Sequence, residues 1–260
     1  MNLFQALILG AVQGLTEFLP VSSSGHLALI QILMNLKNVP LSFDILLHIG
    51  TLFAVLIFLR KELLLIIKGF FTLKKDALIL VLKIIIALIP AAIVGYLFND
   101  KIEALFSQPK ALGFAYFGTA LILFLTVFLK SEKKNIKTIT FLDALIVGIF
   151  QSLALVPGFS RSGFTLFSAL LVGMNKEDAL NFSFILSIPA IIGAFIFELL
   201  SAEPAGSLYI SSGLNISAFI ISLITGLIAI YLLRTALKKS KLYLFGLYCL
   251  ILGIIILMIF

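Results

Sequence analysis

Residues 6–25 read ALILGAVQGLTEFLPVSSSG, and residues 144–163 read ALIVGIFQSLALVPGFSRSG. Laid over each other without gaps, nine of the twenty positions agree: Ala6/Ala144, Leu7/Leu145, Ile8/Ile146, Gly10/Gly148, Gln13/Gln151, Leu15/Leu153, Ser22/Ser160, Ser24/Ser162 and Gly25/Gly163. A shared apolar bias alone would give roughly two or three, so the chain reads as an internal repeat. The match continues weakly, shifted by one residue, into Phe43/Phe182, Leu47/Leu186 and Phe58/Phe197. Each copy is an apolar run broken at a polar turn, Pro20-Val-Ser-Ser-Ser-Gly25 in the first and Pro157-Gly-Phe-Ser-Arg-Ser-Gly163 in the second. Proline and glycine stop helices, and serine starts them by capping the N-terminus. Residues 3–34 and 141–173 are therefore expected to fold as two re-entrant helix–turn–helix hairpins, each half too short to cross a bilayer.

The rest of the chain supplies the bilayer. Of 260 residues, 62% are hydrophobic and 12% charged, with a mean hydropathy of +1.22. Soluble domains carry about 45–50% apolar and about 25% charged residues, so the excess faces lipid. Runs of about 20 apolar residues span a membrane as helices, and six are expected: 42–60, 77–98, 112–130, 179–200, 214–233 and 242–259. Leu3 to Leu19 is not read as a signal peptide, since no basic segment precedes it and Gln5, Gln13 and Glu17 interrupt it. The single cysteine, Cys249, excludes a disulfide within the chain and a cysteine metal site.

The net charge of +7 is a matter of topology, not of nucleic-acid binding. Loop 60–76 carries Arg60, Lys61, Lys68, Lys74 and Lys75; loop 130–140 carries Lys130, Lys133, Lys134 and Lys137; loop 234–241 carries Arg234, Lys238, Lys239 and Lys241. Loop 99–111 offsets Lys101 and Lys110 with Asp100 and Glu103, and loop 201–213 has no basic residue. Positively charged loops stay in the cytoplasm, which puts both termini outside and makes the two hairpins enter from opposite faces. The fold class implied is an all-α polytopic membrane protein, one transmembrane domain over 1–260, with 1–130 and 131–260 as inverted-topology repeats.

Charge at membrane depth is costly and is retained for function. Away from the loops stand Glu17, His26, Asp44, His48, Lys83, Arg161 and Glu198. Lys83 and Glu198 lie near span ends, where snorkelling accounts for them. The others gather at the turns. A half-helix starting near Ser22 or Ser160 offers free N–H groups and the positive end of its dipole to an anion. Ser22, Ser23, Ser24, Ser160 and Ser162 add hydroxyls beside Gly25 and Gly163, and Arg161 adds a planar fork suited to phosphate. The bland alternative, that Ser and Gly merely allow close helix packing, leaves an intramembrane arginine unexplained. His26 follows Ser23 by three residues and Ser22 by four, so the three share a helical face; they make a nucleophile with its base, or a phosphate ligand with a general acid. Glu17, one helical turn after Gln13, is expected to reach His26 or to hold a divalent cation with Gln13, Mg²⁺ or Ca²⁺ being natural for oxygen ligands. Asp44 and His48, spaced i, i+4, pair with each other or support the site from behind, as does Thr165; Asn181 and Ser183 occupy the matching stretch of the second repeat.

These motifs resemble a known family. Gln13-Gly-Leu-Thr-Glu17-Phe-Leu-Pro-Val-Ser-Ser-Ser-Gly-His26 is similar to the (E/Q)xxxE-to-SSxGH signature of the bacitracin-resistance type of undecaprenyl-diphosphate phosphatase. Pro157-Gly-Phe-Ser-Arg-Ser-Gly-Phe-Thr165 is similar to its PGxSRSxxT signature, and Phe43–Gly50 and Asn181–Pro189 resemble further stretches. The resemblance implies removal of the terminal phosphate of undecaprenyl diphosphate, recycling the carrier lipid for peptidoglycan and other envelope polymers. It implies bacitracin resistance on overproduction, a divalent cation, a site open to the outer face of the cell membrane, and Glu17, His26 and Arg161 as essential residues. Gln13, Ser22, Ser23, Ser24, Ser160 and Ser162 are implied in support. Gln13 stands where that family often has Glu, which removes one carboxylate and argues against a two-carboxylate metal scheme. A homodimer is compatible with the chain, and the partners expected are the polyprenyl diphosphate and membrane lipid.

Three nucleophiles stay open: Ser23, His26, or water activated by His26. The rival function is a transporter or flippase for a polyprenyl phosphate, because inverted repeats with broken helices also build transporters. A structural scaffold is the weakest reading, since it gives Glu17, His26 and Arg161 no purpose.

Overall fold

The computed structural model describes residues 1–36, 39, 41–106, 108–129, 134–201 and 213–260, and only the backbone of 41, 103, 106 and 197–201. Among the described residues every extended element is a helix; the single β-bridge, Lys134 with Met174, is isolated. The order is α1 (Leu3–Phe18), α2 (Ser23–Leu33), α3 (Leu41–Phe58), α4 (Arg60–Phe71), α5 (Lys75–Phe106), α6 (Pro109–Leu125), α7 (Phe141–Leu153), α8 (Arg161–Leu171), α9 (Lys176–Ser201), α10 (Gly213–Lys238) and α11 (Tyr243–Ile259).

Both broken regions begin on a capping box and restart on a serine cap, and they break by different routes. α1 opens on Asn2, which accepts from the Gln5 backbone N–H while the Gln5 side chain accepts from Asn2. α7 opens on Thr140, which makes the same reciprocal pair with Asp143. Such capping boxes satisfy two otherwise orphaned donors. α1 ends because Leu19 precedes Pro20 and is extended, with φ −63° and ψ 142°. α7 ends before Pro157 and Gly158, the latter at φ +94°, a left-handed conformation that favours glycine. The new helices α2 and α8 then start on Ser22 and Ser160, whose hydroxyls accept from the Gly25 and Gly163 N–H groups at 3.3 and 3.2 Å.

Four stretches are each long and apolar enough to cross a bilayer: Lys75–Ile102, Pro109–Phe128, Lys176–Ile196 and Gly213–Lys238. α3 joins them only with α4, from which it is bent by 80°. α11 has 17 residues, about 25 Å of helix. Large side chains along α5, α6, α10 and α11 lie exposed, among them Ile93, Phe114, Leu121, Ile228 and Ile251. In water each would forfeit about 1.5–3 kcal/mol of burial; in lipid the cost vanishes. The protein is a multi-pass membrane protein.

The stretch 60–76, expected as a loop, is instead largely the helix α4 and the start of α5. Between Lys61 and Lys68 runs the apolar stretch Leu63 to Ile67, of which Leu63 and Ile66 pack on the core while Leu64, Leu65 and Ile67 lie exposed, so a helix forms where charge alone suggested a connection. Lys83, expected to snorkel, is buried and donates to the Lys137 carbonyl at 3.0 Å. The Glu198 side chain and Lys130 and Lys133 lie outside the described residues.

Packing brings the two turns against each other. α1 lies along α10 and α7 along α5, while α6 pairs with α11. Gly10 of α1 sits against the Ala218 carbonyl of α10, and Gly148 of α7 against the Ala87 carbonyl of α5; a Cβ on either glycine would overlap that oxygen. Small residues permit such backbone approach between membrane helices. Beneath the first turn Phe18 meets Phe184 edge to face, with ring centroids 5.3 Å apart.

Candidate active site

Glu17 is the centre of the site. It is the last residue but one of α1, and its side chain is 2% exposed. Burial of a carboxylate demands partners, and it has three. Arg161, first residue of α8, donates from Nη2 to Glu17 Oε1. Ser23, first residue of α2, donates from its hydroxyl to Oε2 at 2.6 Å. Gln13 donates from Nε2 to the same oxygen at 2.9 Å. Four residues that sequence placed on two separate turns are thus one hydrogen-bonded cluster. His48 of α3 stands behind it, Nε2 3.8 Å from Glu17 Oε2.

The turns themselves touch. The Ser162 hydroxyl donates to the Leu19 carbonyl at 3.0 Å. Gly163 faces Pro20, and Gly25 faces Gly158 closely enough that a Cβ on Gly25 would stand 3.2 Å from the Gly158 Cα. Ser22 and Ser24 share a contact of 3.4 Å, as Ser160 and Ser162 do at 3.1 Å. With the Gly25 and Gly163 N–H groups taken by the caps, the N–H groups of Ser23, Ser24, Arg161 and Ser162 have no protein acceptor among the described residues. Two helix N-termini with unused N–H groups and one guanidinium thus lie at the contact of the two turns, the kinds of group that suit an anion with several oxygens.

Strain marks the first turn alone. Ser22 has φ +66°, whereas Ser160 has φ −87°. A serine held in that sparsely populated region costs of order 1–3 kcal/mol and persists where surrounding contacts impose it.

His26 does not join Glu17. Its Nδ1 is 2.7 Å from the Ser22 carbonyl oxygen, which can only accept, so Nδ1 carries the proton. Nε2 lies 2.6 Å from the Tyr248 hydroxyl and Nδ1 2.9 Å from that of Tyr116. Tyr248 also stacks on the ring, with an 8° interplanar angle. The expected reach of Glu17 to His26 fails because Arg161, Ser23 and Gln13 occupy both carboxylate oxygens. Of the two alternatives for Asp44 and His48, the side-chain pair is not formed, and His48 stands beside Glu17 instead. His48 Nδ1 donates to the Asp44 backbone carbonyl at 2.8 Å, and the Asp44 carboxylate accepts from Gln31 of α2 at 3.2 Å. Thr165 reaches back to the Arg161 carbonyl at 2.9 Å and meets Ser183 of α9 at 2.5 Å, fixing α8 to α9 behind the arginine. Asn181 makes no hydrogen bond to either turn.

Sequence reasoning missed Tyr116 and Tyr248, two of six tyrosines in the chain. Tyr116 is wholly buried, and a buried phenol seeks a hydrogen-bond partner. That rule marks such tyrosines as polar, but apolar spans give no hint of which histidine they meet.

No group of three His, Cys, Asp or Glu side chains able to hold a metal occurs among the described residues. The site does contain Gln13 Oε1, buried and without a hydrogen-bond partner, beside the Glu17 carboxylate. One carboxylate and one orphaned amide oxygen are hard donors, a set that fits Mg²⁺ or Ca²⁺ shared with phosphate oxygens.

The family model described as bacitracin resistance protein BacA matches residues 6–255. This chain belongs to the BacA family. A relative from Thermosipho africanus, named undecaprenyl-diphosphatase, is 46% identical over 249 residues, covering 96% of this chain and 97% of its own. Relatives of the same name from Carboxydothermus hydrogenoformans and Methanococcus maripaludis are 46% identical over 264 residues and 43% over 254. They cover 100% and 98% of this chain, and 98% and 99% of their own lengths. Both turns and all of the cluster around Glu17 fall within the matched residues.

Proposed function

We infer that this chain is an undecaprenyl-diphosphate phosphatase: it releases inorganic phosphate from undecaprenyl diphosphate, returns undecaprenyl phosphate to envelope polymer synthesis, and so confers resistance to bacitracin. The observation that carries this is the Arg161–Glu17–Ser23 chain of hydrogen bonds across the meeting point of the two turns. Family membership and the relatives' names supply the substrate.

The chemistry follows from that chain. The diphosphate draws Arg161 from Glu17 onto its own oxygens, and the N–H groups at the starts of α2 and α8 complete the cradle. Phosphoryl transfer is catalysed mainly by such positioning and charge stabilisation. Glu17, relieved of its counter-ion, takes the Ser23 proton as that oxygen bonds the terminal phosphorus and the bond to the lipid phosphate breaks. Water then cleaves the phosphoserine. Ser23 is favoured over His26 as nucleophile because its hydroxyl lies within 2.6 Å of a carboxylate. Glu17 and Gln13 Oε1 would hold a divalent cation, which neutralises diphosphate charge when bound.

Orientation and symmetry complete the reading. Six spans and two hairpins, 1–130 and 131–260, form inverted repeats in the cell membrane, with both termini and the site opening on the outer face. The support is the matched capping boxes at Asn2 and Thr140, the matched caps at Ser22 and Ser160, and the matched approaches of Gly10 to Ala218 and Gly148 to Ala87. Impermeant thiol labelling of Lys74→Cys in a Cys249→Ser background tests it in intact cells. Protection supports a cytoplasmic position, and labelling from outside refutes the orientation.

The same symmetric hairpins favour a second reading, a polyprenyl-phosphate transporter. Purified protein in detergent separates the two, because without compartments a transporter releases no phosphate. Substrate turnover there, with acid-stable phosphate trapped on Ser23, is the expected result. An acid-labile phosphohistidine at His26 would transfer the nucleophile's role to that residue, and no phosphate release would exclude the phosphatase.

A further inference from the structure

His26 is held on three sides by groups that motif reasoning does not reach. The Ser22 carbonyl forces the proton onto Nδ1. In the neutral ring Nε2 is then an acceptor, and it receives the Tyr248 hydroxyl at 2.6 Å. The Tyr116 hydroxyl stands 2.9 Å from Nδ1, and its ring meets the imidazole edge on at 86°. The Tyr248 ring stacks on the imidazole with centroids 5.7 Å apart. Glycine at position 25 is part of the same arrangement, for a Cβ there would stand 2.6 Å from the Tyr116 hydroxyl. Tyr116 comes from α6 and Tyr248 from α11, two helices packed on each other. A histidine on α2 is thereby fixed in orientation and tautomer by elements remote from it in sequence.

We propose that Tyr116 and Tyr248 are positioning residues for the phosphatase reaction: together with the Ser22 carbonyl they hold His26 as the Nδ1–H tautomer and make Nε2 its only reactive nitrogen. The proposal rests on the phosphatase reading and adds to it a role for His26, which the Ser23 and Glu17 steps leave unassigned, and the atom through which that role runs. Any proton His26 takes up must arrive at Nε2, since Nδ1 already carries one and donates it to Ser22. The Tyr248 hydroxyl must turn from Nε2 for that to happen, so this phenol governs when His26 is available. Tyr248 suits such a role because it is 45% exposed while its hydroxyl reaches a buried ring; it has room to move that Tyr116, wholly buried, does not.

The chain has two histidines, which makes a direct test feasible. Full-length protein is labelled with ¹⁵N-imidazole histidine in detergent, and the His26 signals are assigned by their survival in His48→Asn. The expected wild-type spectrum is an Nδ1–H tautomer with a hydrogen-bonded Nε2. In Tyr248→Phe, which keeps the stacking ring, Nε2 should lose its hydrogen-bond shift. There kcat should fall about tenfold with KM held within about twofold, as for loss of an interaction outside ground-state binding. Tyr116→Phe, which frees Nδ1 of its second neighbour, should keep the tautomer and lower kcat less. An Nε2–H tautomer in the wild type overturns the proposal. So does an unchanged kcat in Tyr248→Phe, or a loss of kcat that merely tracks a lowered melting temperature. Should the wild-type chain release no phosphate, the phosphatase reading fails while the nitrogen spectra still decide the placement of His26.

Discussion

The two turns share their helix starts and differ in backbone path and in what they carry. Each is entered by a helix that starts on a capping box and left by a helix capped by serine onto a glycine N–H. The first turn holds Glu17, Ser23 and His26; the matching positions of the second are Leu155, Arg161 and Phe164. The matching stretches thus supply two serine-capped helix starts, and their differences set Glu17 of one against Arg161 of the other. On the phosphatase reading, the shared caps would serve the anion and the positions that differ would serve the chemistry.

The strongest way to break this comparison is to erase its charge. Arg161→Ala should lower kcat/KM for undecaprenyl diphosphate by about 10³-fold, the scale of losing a guanidinium from a phosphoryl-transfer site. Arg161→Lys should recover part of that, since a point charge replaces a fork. Phosphate release in detergent reads both, and full activity in Arg161→Ala refutes the division of labour between the turns. Glu17→Gln comes next. It removes the acceptor for Arg161 and Ser23 together, and turnover should drop below one hundredth of wild type, a loss within the usual range for a catalytic base. It also leaves Arg161 without its anion. Breaking a largely desolvated pair by removing one partner costs about 3–5 kcal/mol, and Arg161 is 25% exposed, so a smaller loss, nearer the low end, is expected. Glu17→Gln with Arg161→Met should therefore melt higher than Glu17→Gln alone.

Much of this was legible before the structure. The breaks at Pro20 and Pro157 and the caps at Ser22 and Ser160 are readable, because capping and helix breaking are local chemistry. Contacts that depend on which helices meet are not. The residues point Arg161 at phosphate and Glu17 at His26 or a divalent cation, and do not reveal the bond that joins Glu17 to Arg161 across 144 residues. Tyr248 was invisible for the same reason, lying 222 residues from His26. Helix α4 was missed because a run of lysines and an 80° bend read as a loop when charge alone is counted.

The smallest effect sharpens the comparison most. Gln13 and Gln151 are the same residue at matched positions, both almost wholly buried. Gln13 donates to Glu17, and only its Oε1 lacks a partner; Gln151, with Leu155 where Glu17 would be, leaves both Nε2 and Oε1 unpartnered. An unmet buried polar group costs about 1–3 kcal/mol. Replacing Gln151 by Leu should therefore be neutral or raise stability by about 1 kcal/mol, with phosphate release unchanged. Gln13→Leu should instead slow turnover, because it strips a hydrogen bond from Glu17. The two variants delete the same atoms from the two repeats, so a shared response would mean that the turns are not chemically distinct at this depth. A rise in melting temperature confined to Gln151→Leu, with loss of activity confined to Gln13→Leu, would extend the difference between the two stretches one helical turn back from Glu17.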